Sequence, residues 1–334
     1  MPIRRIQQVH RKQAQGKHKI IAIVGPTASG KSTLAVYLAQ KLNGEIISAD
    51  SRQVYKGLDI GTGKVTKREM GGIPHHLLNV VSPKKQFSVD DFVQKGTEVI
   101  SGLIYQATPK LPIVVGGTGL YVDALLGRIT FPNVPPNPKL RDRLEKKSVE
   151  QLFAMLQKQD QQRAKTIEPK HKRRLIRALE IAAALRRRCV SRSECKTWPS
   201  GPERTSGRNT AEPYEILWLG LKPSEQKLKK NIRTRLFERI RVGMIAEAKK
   251  LHTQGLSYKR MHELGLEYRY LAKFLQGNIN RLALETELER DINKYAKRQM
   301  RWFKRNKDIV WVKNKSDALQ LSKKFLQPSR QKRG

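Results

Sequence analysis

Short apolar runs of the length typical of buried strands cover residues 19–24, 45–50, 112–115, 215–221 and 309–312. After the first run, leucine and tyrosine side chains recur at helical spacing, which predicts a helix over residues 32–42. Strands that alternate with helices favour a mostly parallel sheet. The pattern therefore predicts an α/β fold.

A long stretch without strand signals separates the third predicted strand from the fourth. It opens at residues 131–138, where four of eight residues are prolines, which disfavour helix. Residues 139–185 then follow a helical pattern. Residues 186–213 are polar and contain Gly and Pro, as a linker does. We expect an inserted, all-helical domain at 139–185, a linker at 186–213, and a core formed by 19–135 and 214–315.

The late part of the chain is expected to be mainly helical. Apolar residues recur at every fourth position and predict the buried face of one helix: Ile232, Leu236, Ile240, Met244 and Ala248. Further helices are predicted over residues 263–275 and 282–303. The two ends are strongly basic, so we expect an N-terminal arm at 1–18 and a C-terminal tail at 316–334.

The charge balance points to a polyanionic partner. Lys and Arg number 68 against 29 Asp and Glu, which gives a net charge of +39. Nucleic acid is the partner class that such an excess favours. The apolar runs are much shorter than a membrane span. The two cysteines, Cys189 and Cys195, have no second Cys or His pair nearby, which argues against a zinc module.

The strongest chemical signal is a phosphate-binding motif, G-x4-G-K-[ST], at residues 25–32. It stands between a predicted strand and a predicted helix, which is the context the motif requires. Backbone N–H groups of such a loop surround a phosphate, Lys31 can reach the outer phosphates, and the Ser32 hydroxyl can hold Mg²⁺. We expect a P-loop NTPase-like fold that binds a diphosphate or triphosphate through Gly25, Pro26, Thr27, Ala28, Ser29, Gly30, Lys31 and Ser32.

The acidic residue that usually follows a strand in P-loop nucleotidases is missing. The run at 112–115 continues into Gly-Gly-Thr-Gly. Asp50, by contrast, ends the second predicted strand, and the carboxyl ends of parallel strands face the ligand crevice. Three roles are open for Asp50: a Mg²⁺ ligand, a general base, or a cap for the following turn.

Further segments, together with the P-loop, resemble the tRNA dimethylallyltransferase family in order and spacing: 48–56, 61–64, 75–83, 87–92, 116–121, 173–180 and 295–302. The resemblance spans about residues 20–312. It implies transfer of a dimethylallyl group from its diphosphate to N6 of the adenosine 3′-adjacent to the anticodon, in tRNAs that read U-starting codons. Diphosphate is released, and no ATP is hydrolysed.

The resemblance also implies roles for individual residues. The P-loop and Mg²⁺ would hold the diphosphate, and Thr118 would donate to a leaving-group oxygen. Asp50 would accept the proton of the attacking amine. Ser51, Arg52 and Gln53 would hold the flipped base by its edge. Arg239 matches a family arginine directed at the diphosphate, although a solvated basic helix face explains this residue equally well.

RNA contacts are expected on basic helices. The family places a helical insertion against the anticodon stem, which here points to Arg141, Arg173, Arg174 and Arg177. The chain departs from the family at Lys170-His171, where Asn-Asp is usual. Residues 294–307 hold seven basic side chains and no acid, and we expect a basic face over buried aromatic residues. His75 and His76 would point to opposite faces of a strand, which argues against a shared metal ion.

A small-molecule or nucleotide kinase would share the P-loop, the sheet and the helical insertion. Such an enzyme has no need of a net charge of +39, and the late basic helices would be unexplained. Eukaryotic members of the family can carry a C-terminal zinc finger, and this sequence lacks the Cys and His residues for one. We expect a bacterial-type, monomeric, cytoplasmic enzyme with no membrane segment. Its expected cofactor is Mg²⁺, and its expected partners are the tRNA anticodon stem-loop and dimethylallyl diphosphate.

Overall fold

A computed structural model describes residues 18–132, 134–190, 203–204 and 214–327 of the chain. It divides into two units, Met1–Leu126 with Glu212–Gly334, and Gly127–Ala211. The expected N-terminal arm lies outside the described residues except for its last position, and so do Cys195 and the end of the C-terminal tail. Within the described ranges, no helix has the length and apolar character needed to cross a membrane.

The first unit is built on a six-stranded parallel sheet with the order β3-β2-β4-β1-β7-β8. Its strands are β1 (His18–Val24), β2 (Gly44–Ser48), β3 (His75–His76), β4 (Leu111–Gly116), β7 (Tyr214–Leu221) and β8 (Val310–Val312). The remaining strands, β5 (Ile129–Thr130) and β6 (Glu203–Arg204), form a separate antiparallel pair in the second unit. Every strand predicted from an apolar run is present, and the expected α/β fold is confirmed.

The sheet is buried on both faces because side chains of β1 alternate between two cores. Ile20, Ala22 and Val24 pack with α3 (Val89–Tyr105) and α4 (Gly119–Leu125). Ile21 and Ile23 pack on the other face with α1 (Lys31–Leu42). A continuous apolar run is what a parallel strand covered on both faces requires.

A third core is formed by the late helices. They are α9 (Glu225–Arg241), α10 (Met244–Thr253), α11 (Tyr258–Glu263), α12 (Leu266–Leu275) and α13 (Arg281–Phe303). The single helix predicted from the stripe at 232–248 is wrong. The stripe is buried throughout, but it runs across α9 and α10, which are separated at Gly243 with φ of +109°. A left-handed residue ends a helix without disturbing the apolar face that its neighbours share.

The prediction of a basic tail at 316–334 is also wrong for its described part. Residues Lys315–Leu326 form α14, and Ala318 and Ser322 on this helix are fully buried. Lys19 Nζ donates to the carbonyl oxygens of Phe325 and Gln327 at 2.6 and 2.7 Å, which satisfies acceptors at the helix end. The many basic residues of this segment obscure the helical spacing of the apolar residues that pack on the sheet.

The second unit contains α5 (Pro138–Glu145), α6 (Val149–Gln159), α7 (Gln161–Thr166) and α8 (Lys172–Val190). Leu144, Leu152, Leu156, Leu175 and Leu179 form its core. The segment expected as a linker at 186–213 begins inside α8. It also supplies β6, which pairs with β5, so the parts of this segment that the structure describes are ordered elements. The short helix α2 (Lys67–Met70) belongs to the first unit.

Candidate active site

A cavity of about 460 Å³ opens at the carboxyl ends of β1, β2 and β4. The sheet register brings these ends together, since Val24 lies beside Gly116, and Ser48 lies beside Val115. The P-loop, residues 50–53 and residues 116–118 therefore line one cavity, with side chains from α9, α12 and α13 on its other side. This edge of a parallel sheet is where ligands of open α/β folds bind.

The P-loop conformation depends on left-handed residues. Gly25 has φ of +149°, and a Cβ there would lie 2.7 Å from the carbonyl oxygen of Leu221. Gly30 has φ of +92° directly before α1 begins. The Ser29 hydroxyl is buried and has no hydrogen-bond partner within the described part of the chain. A turn of this kind directs backbone N–H groups at the helix N-terminus toward an anion.

Lys31 is the cation of this loop. Its Nζ donates to the carbonyl oxygen of Pro26 at 2.6 Å. Burial and the nearby Arg235 together lower the pKa of Lys31 to about 7, although Asp50 opposes the shift. An anionic ligand would raise the pKa of Lys31 again, because an opposite charge nearby favours the ammonium form.

Asp50 begins the turn that follows β2. Its Oδ1 accepts hydrogen bonds from the backbone N–H groups of Arg52 at 2.8 Å and Gln53 at 3.4 Å. The capping role considered for this residue is therefore present in the structure. Only Oδ1 makes these bonds, and Asp50 also lines the cavity, so the cap leaves Oδ2 for chemistry.

Thr118 follows β4 by two residues and lines the same cavity as Asp50. Its hydroxyl oxygen accepts from the backbone N–H of Ser51 at 3.2 Å, and the hydroxyl can donate to Ser51 Oγ at 3.5 Å. Burial and, to a smaller extent, the Asp50 carboxylate raise the pKa of Tyr295 to about 12, although a hydrogen bond with Thr118 acts in the opposite direction. Tyr295 is thus a neutral phenol beside the two residues expected to react.

The three residues expected to hold a base edge are oriented by protein contacts. Gln53 accepts from Ser48 Oγ at 3.2 Å and donates to the carbonyl oxygen of Gly63 at 3.4 Å. Arg52 Nη1 donates to the carbonyl oxygen of Glu263 at 3.3 Å. Both side chains and Ser51 line the cavity, which agrees with their proposed task.

The loop that supplies Gly63 is held by one carboxylate. Backbone N–H groups of Asp59, Ile60 and Gly61 donate to Glu247 at 2.9, 2.7 and 2.9 Å. The Tyr268 hydroxyl donates to the same carboxylate at 2.5 Å. These charge-assisted hydrogen bonds fix the loop, because they bind backbone N–H groups that would otherwise bond to water.

Arg239 does not line the cavity, which corrects its expected position. Its Nη1 donates to the carbonyl oxygen of Gly61 at 2.9 Å and lies 3.5 Å from Glu267 Oε1. Arg235, one helical turn earlier, lines the cavity instead. Burial lowers the pKa of Arg235, as does the nearby Arg239, while Glu69 and Glu267 oppose the shift. We therefore replace Arg239 by Arg235 as the helical arginine expected to face the diphosphate.

Other residues at the cavity were not predicted from the sequence: Arg269, Tyr295, Arg298 and Gln299. The last three belong to the segment at 295–302, whose order and spacing carried the resemblance. Arg298 lies over the Tyr295 ring, with 5.7 Å between the guanidinium carbon and the ring centroid. The basic side chains at the cavity outnumber the carboxylates of Asp50 and Glu267, which favours an anionic ligand.

Two arginines expected to bind RNA have structural partners inside the second unit. Arg141 makes two bonds to the buried carboxylate of Glu180, at 3.0 and 2.9 Å. Arg177 also bonds Glu180 and donates to the carbonyl oxygen of Val134 at 2.9 Å. Burial raises the pKa of Glu180, but these bonds and that from the Asn137 N–H outweigh burial and leave the pKa below its ordinary value. RNA contact by Arg141 and Arg177 stays a prediction, and the structure gives both residues a packing role.

Arg173 and Arg174 are exposed on α8, and Arg174 Nη1 lies 3.7 Å from Glu168. The unusual His171 stands at the start of this helix, where its carbonyl oxygen accepts from the N–H of Leu175 at 3.1 Å. The first turn of α8 contains no acidic residue. The His171 imidazole offers no side-chain oxygen of the kind by which Asp or Asn at this position would cap the helix.

His75 and His76 lie on β3 and have separate environments. His76 Nε2 is 2.7 Å from Glu45 Oε2. His75 Nδ1 is bonded to the carbonyl oxygen of Ile73 at 2.8 Å, and burial lowers the pKa of His75. Within the ranges that the structure describes, no group of three or more His, Cys, Asp or Glu residues could hold a metal ion.

Comparison with known families decides the assignment. Residues 53–306 match the family model described as IPP transferase, and residues 18–80 match the model described as isopentenyl transferase. The chain belongs to the IPP transferase family. The resemblance inferred from the ordered motifs is thereby confirmed.

Named IPP transferase relatives cover nearly the whole chain. A tRNA dimethylallyltransferase 2 of Treponema denticola is 40% identical over 302 residues, which are 89% of this chain and 96% of the relative. A tRNA dimethylallyltransferase of Halalkalibacterium halodurans is 36% identical over 300 residues, 88% of this chain and 91% of the relative.

Solved IPP transferase structures agree with the fold. The tRNA isopentenylpyrophosphate transferase of Bacillus halodurans superimposes with a TM-score of 0.65 at 34% identity, and the match covers 92% of this chain and 95% of that one. A eukaryotic dimethylallyltransferase acting on tRNA gives a TM-score of 0.73 at 25% identity, with 95% and 82% covered.

Proposed function

We propose that this chain transfers a dimethylallyl group from dimethylallyl diphosphate to N6 of the adenosine 3′-adjacent to the anticodon of tRNAs reading U-starting codons. The observation that carries the proposal is a P-loop that shares one cavity with Asp50 and Thr118. The activities named for the relatives support it.

The donor diphosphate binds the N–H groups before α1, Lys31 and Arg235. Negative charge grows on this leaving group as its bond to carbon breaks. Fixed donors and cations at that point stabilise the transition state. Thr118, held by Ser51 at the facing loop, donates to a leaving-group oxygen.

Mg²⁺ fits the oxygen donors at this site. Bound to diphosphate, Mg²⁺ needs only one or two protein oxygens, since phosphate and water oxygens complete its shell. The Ser32 hydroxyl lines the cavity and suits that task. When bound, the ion would neutralise charge on the diphosphate.

The acceptor adenine must leave its stack to enter the cavity. Ser51, Arg52 and Gln53 hold its edge. The bond between N6 and the terminal prenyl carbon forms while the bond from that carbon to the diphosphate oxygen breaks. The amine loses one proton to Asp50, whose orientation is fixed by two backbone N–H groups. The products are N6-isopentenyladenosine in tRNA and diphosphate.

The anticodon stem-loop binds basic faces, including Arg173 and Arg174 on α8 and the exposed cations of α13. A net charge of +39 supplies the phosphate-led affinity that such binding requires. The helical insertion acts as the tRNA-binding domain, the enzyme works as a monomer, and its tRNA substrate locates the reaction in the cytoplasm. The kinase alternative is not favoured, since the family match names prenyl transfer and β4 ends without an acid.

The deciding experiment combines purified protein, unmodified tRNA, Mg²⁺ and dimethylallyl diphosphate. Mass spectrometry of the digested nucleosides should find N6-isopentenyladenosine. Matched tRNAs in which guanosine replaces the target adenosine should remain unmodified. Absence of the product with the natural tRNA, or phosphoryl transfer from ATP to a small acceptor, would refute the proposal.

A further inference from the structure

One buried amide connects the two neighbouring loops that follow β1 and β4 at the cavity. Gln299 on α13 is 6% exposed. Its Oε1 accepts from the backbone N–H of Thr27 in the P-loop at 2.8 Å, and its Nε2 donates to the carbonyl oxygen of Gly117 at 2.8 Å. The orientation of the amide follows from its partners, because the Thr27 N–H requires the amide oxygen and the Gly117 carbonyl requires the amide NH₂ group.

Gly117 is shaped to receive this amide. A Cβ at position 117 would lie 2.4 Å from Gln299 Nε2, closer than atoms in contact can approach. The carbonyl of Gly117 directly precedes Thr118, the residue expected to donate to the leaving group. The amide therefore holds the P-loop at one end and the Thr118 turn at the other.

We propose that Gln299 is a positioning residue that fixes the spacing between the P-loop and the Thr118 turn, so that both grip one diphosphate. The inference rests on the proposed function, in which the diphosphate lies between these loops. Gln299 has its hydrogen-bonding groups committed to the two loops. It acts through Thr27 and Gly117 and touches no reacting atom.

Removing the amide should weaken diphosphate binding more than tRNA binding. Gln299→Met keeps the side-chain length but leaves the Thr27 N–H and the Gly117 carbonyl without their partner. Each buried polar group left in this state costs about 1–3 kcal/mol, equivalent to roughly 5- to 150-fold in an equilibrium constant. Since the loops can relax, we expect a loss of about 10- to 100-fold in affinity for inorganic pyrophosphate with Mg²⁺.

Gln299→Glu is the second variant. It keeps an acceptor for Thr27 but places a carboxylate oxygen against the Gly117 carbonyl oxygen, next to the diphosphate, and should lose more affinity than Gln299→Met. Gln276→Met is the matched control, because Gln276 is exposed at the end of α12. It should leave binding unchanged.

Calorimetry with pyrophosphate, filter binding with tRNA and steady-state transfer assays form the test. For Gln299→Met we expect a raised pyrophosphate Kd, a raised donor KM, and a tRNA Kd within twofold of wild type. A pyrophosphate Kd within twofold of wild type, or a tRNA Kd that rises as much as the pyrophosphate Kd, would overturn the proposal.

Gly117→Ala tests the same contact without depending on Gln299→Met being folded. The added methyl should weaken pyrophosphate binding strongly in the wild-type background. It should have less than a threefold effect when Gln299→Ala has already removed the clash. Equal effects in both backgrounds would count against the contact. Wild-type protein that binds pyrophosphate but makes no prenylated tRNA would refute the proposed function alone.

Discussion

Lys31 should make donor binding depend steeply on pH. Its side chain has a pKa of about 7 in the unliganded protein, because it is buried and close to Arg235. A diphosphate in the P-loop raises that pKa, since it supplies the opposite charge. Donor binding above pH 7 must therefore take up one proton, and affinity must fall as the pH rises.

The magnitude follows from the size of the pKa shift. With a pKa of about 7, only about one Lys31 side chain in a hundred is charged at pH 9. Inorganic pyrophosphate still loses a proton in this range, so the ligand for this test is dimethylallyl diphosphate, a phosphate ester whose last pKa is about 6. The Kd for dimethylallyl diphosphate should rise about tenfold per pH unit between pH 7.5 and 9.5.

Calorimetry at fixed Mg²⁺ in buffers of different ionisation enthalpy measures both the Kd and the proton uptake. Lys31→Arg is the matched control, because the guanidinium stays charged over this range. Its Kd should be nearly independent of pH, which also corrects for any effect on Mg²⁺. A flat profile for wild type, or equal slopes for both proteins, would refute the reasoning.

The same shift has the opposite effect on the unliganded protein. The folded-state pKa lies below the unfolded value of 10.5, so the unfolded chain binds more protons between pH 7 and about 10. The contribution of Lys31 to the free energy of unfolding therefore becomes more favourable as pH rises through that window, while ligand affinity falls. Chemical denaturation of wild type and Lys31→Met across this range measures the difference.

Three further predictions concern other residues. Asp50→Asn keeps the cap but removes the base, so single-turnover transfer should slow by roughly two to four decades with tRNA affinity unchanged. A near-normal rate would assign Asp50 to capping alone. Recovery of the rate by excess Mg²⁺ would assign Asp50 to metal binding. Arg235→Ala should raise the donor Kd, measured by calorimetry, about tenfold or more. Arg239→Ala should chiefly lower the melting temperature, measured by thermal unfolding, because it releases Gly61. The reverse pattern would contradict the assignment of Arg235 to the diphosphate. His171→Asp should supply a carboxylate cap for α8 and stabilise the protein by about 0.5–2 kcal/mol in denaturant unfolding, with no gain expected from the control His262→Asp in the last turn of α11.

The sequence was sufficient to predict features with local signals. The P-loop, the apolar runs that become strands, and Asp50 at the end of β2 are each encoded within a few neighbouring residues. Their meeting at one cavity follows from the rule that carboxyl ends of parallel strands share an edge.

Features that depend on distant contacts could not be read in this way. Spacing along α9 cannot tell which of Arg235 and Arg239 faces the cavity, because residues four apart share one helix face. The sequence predicts RNA contact for Arg141 and Arg177, whereas their contact with Glu180 is revealed only by packing. Gln299 reaches Thr27 across most of the chain and has no local signature.

The place of β1 in the sheet has a consequence for synthesis of the protein. β1 lies between β4 and β7, and β7 follows only after the Gly127–Ala211 unit. A ribosome that has made β1 to β4 therefore displays the unpaired edge of β1, which is apolar from Ile20 to Val24, until about one hundred further residues have been translated. Such an edge invites pairing with other chains. Nascent chains that stall within or just after the second unit should be the most aggregation-prone products of this gene, and slow translation there would demand chaperone protection of β1.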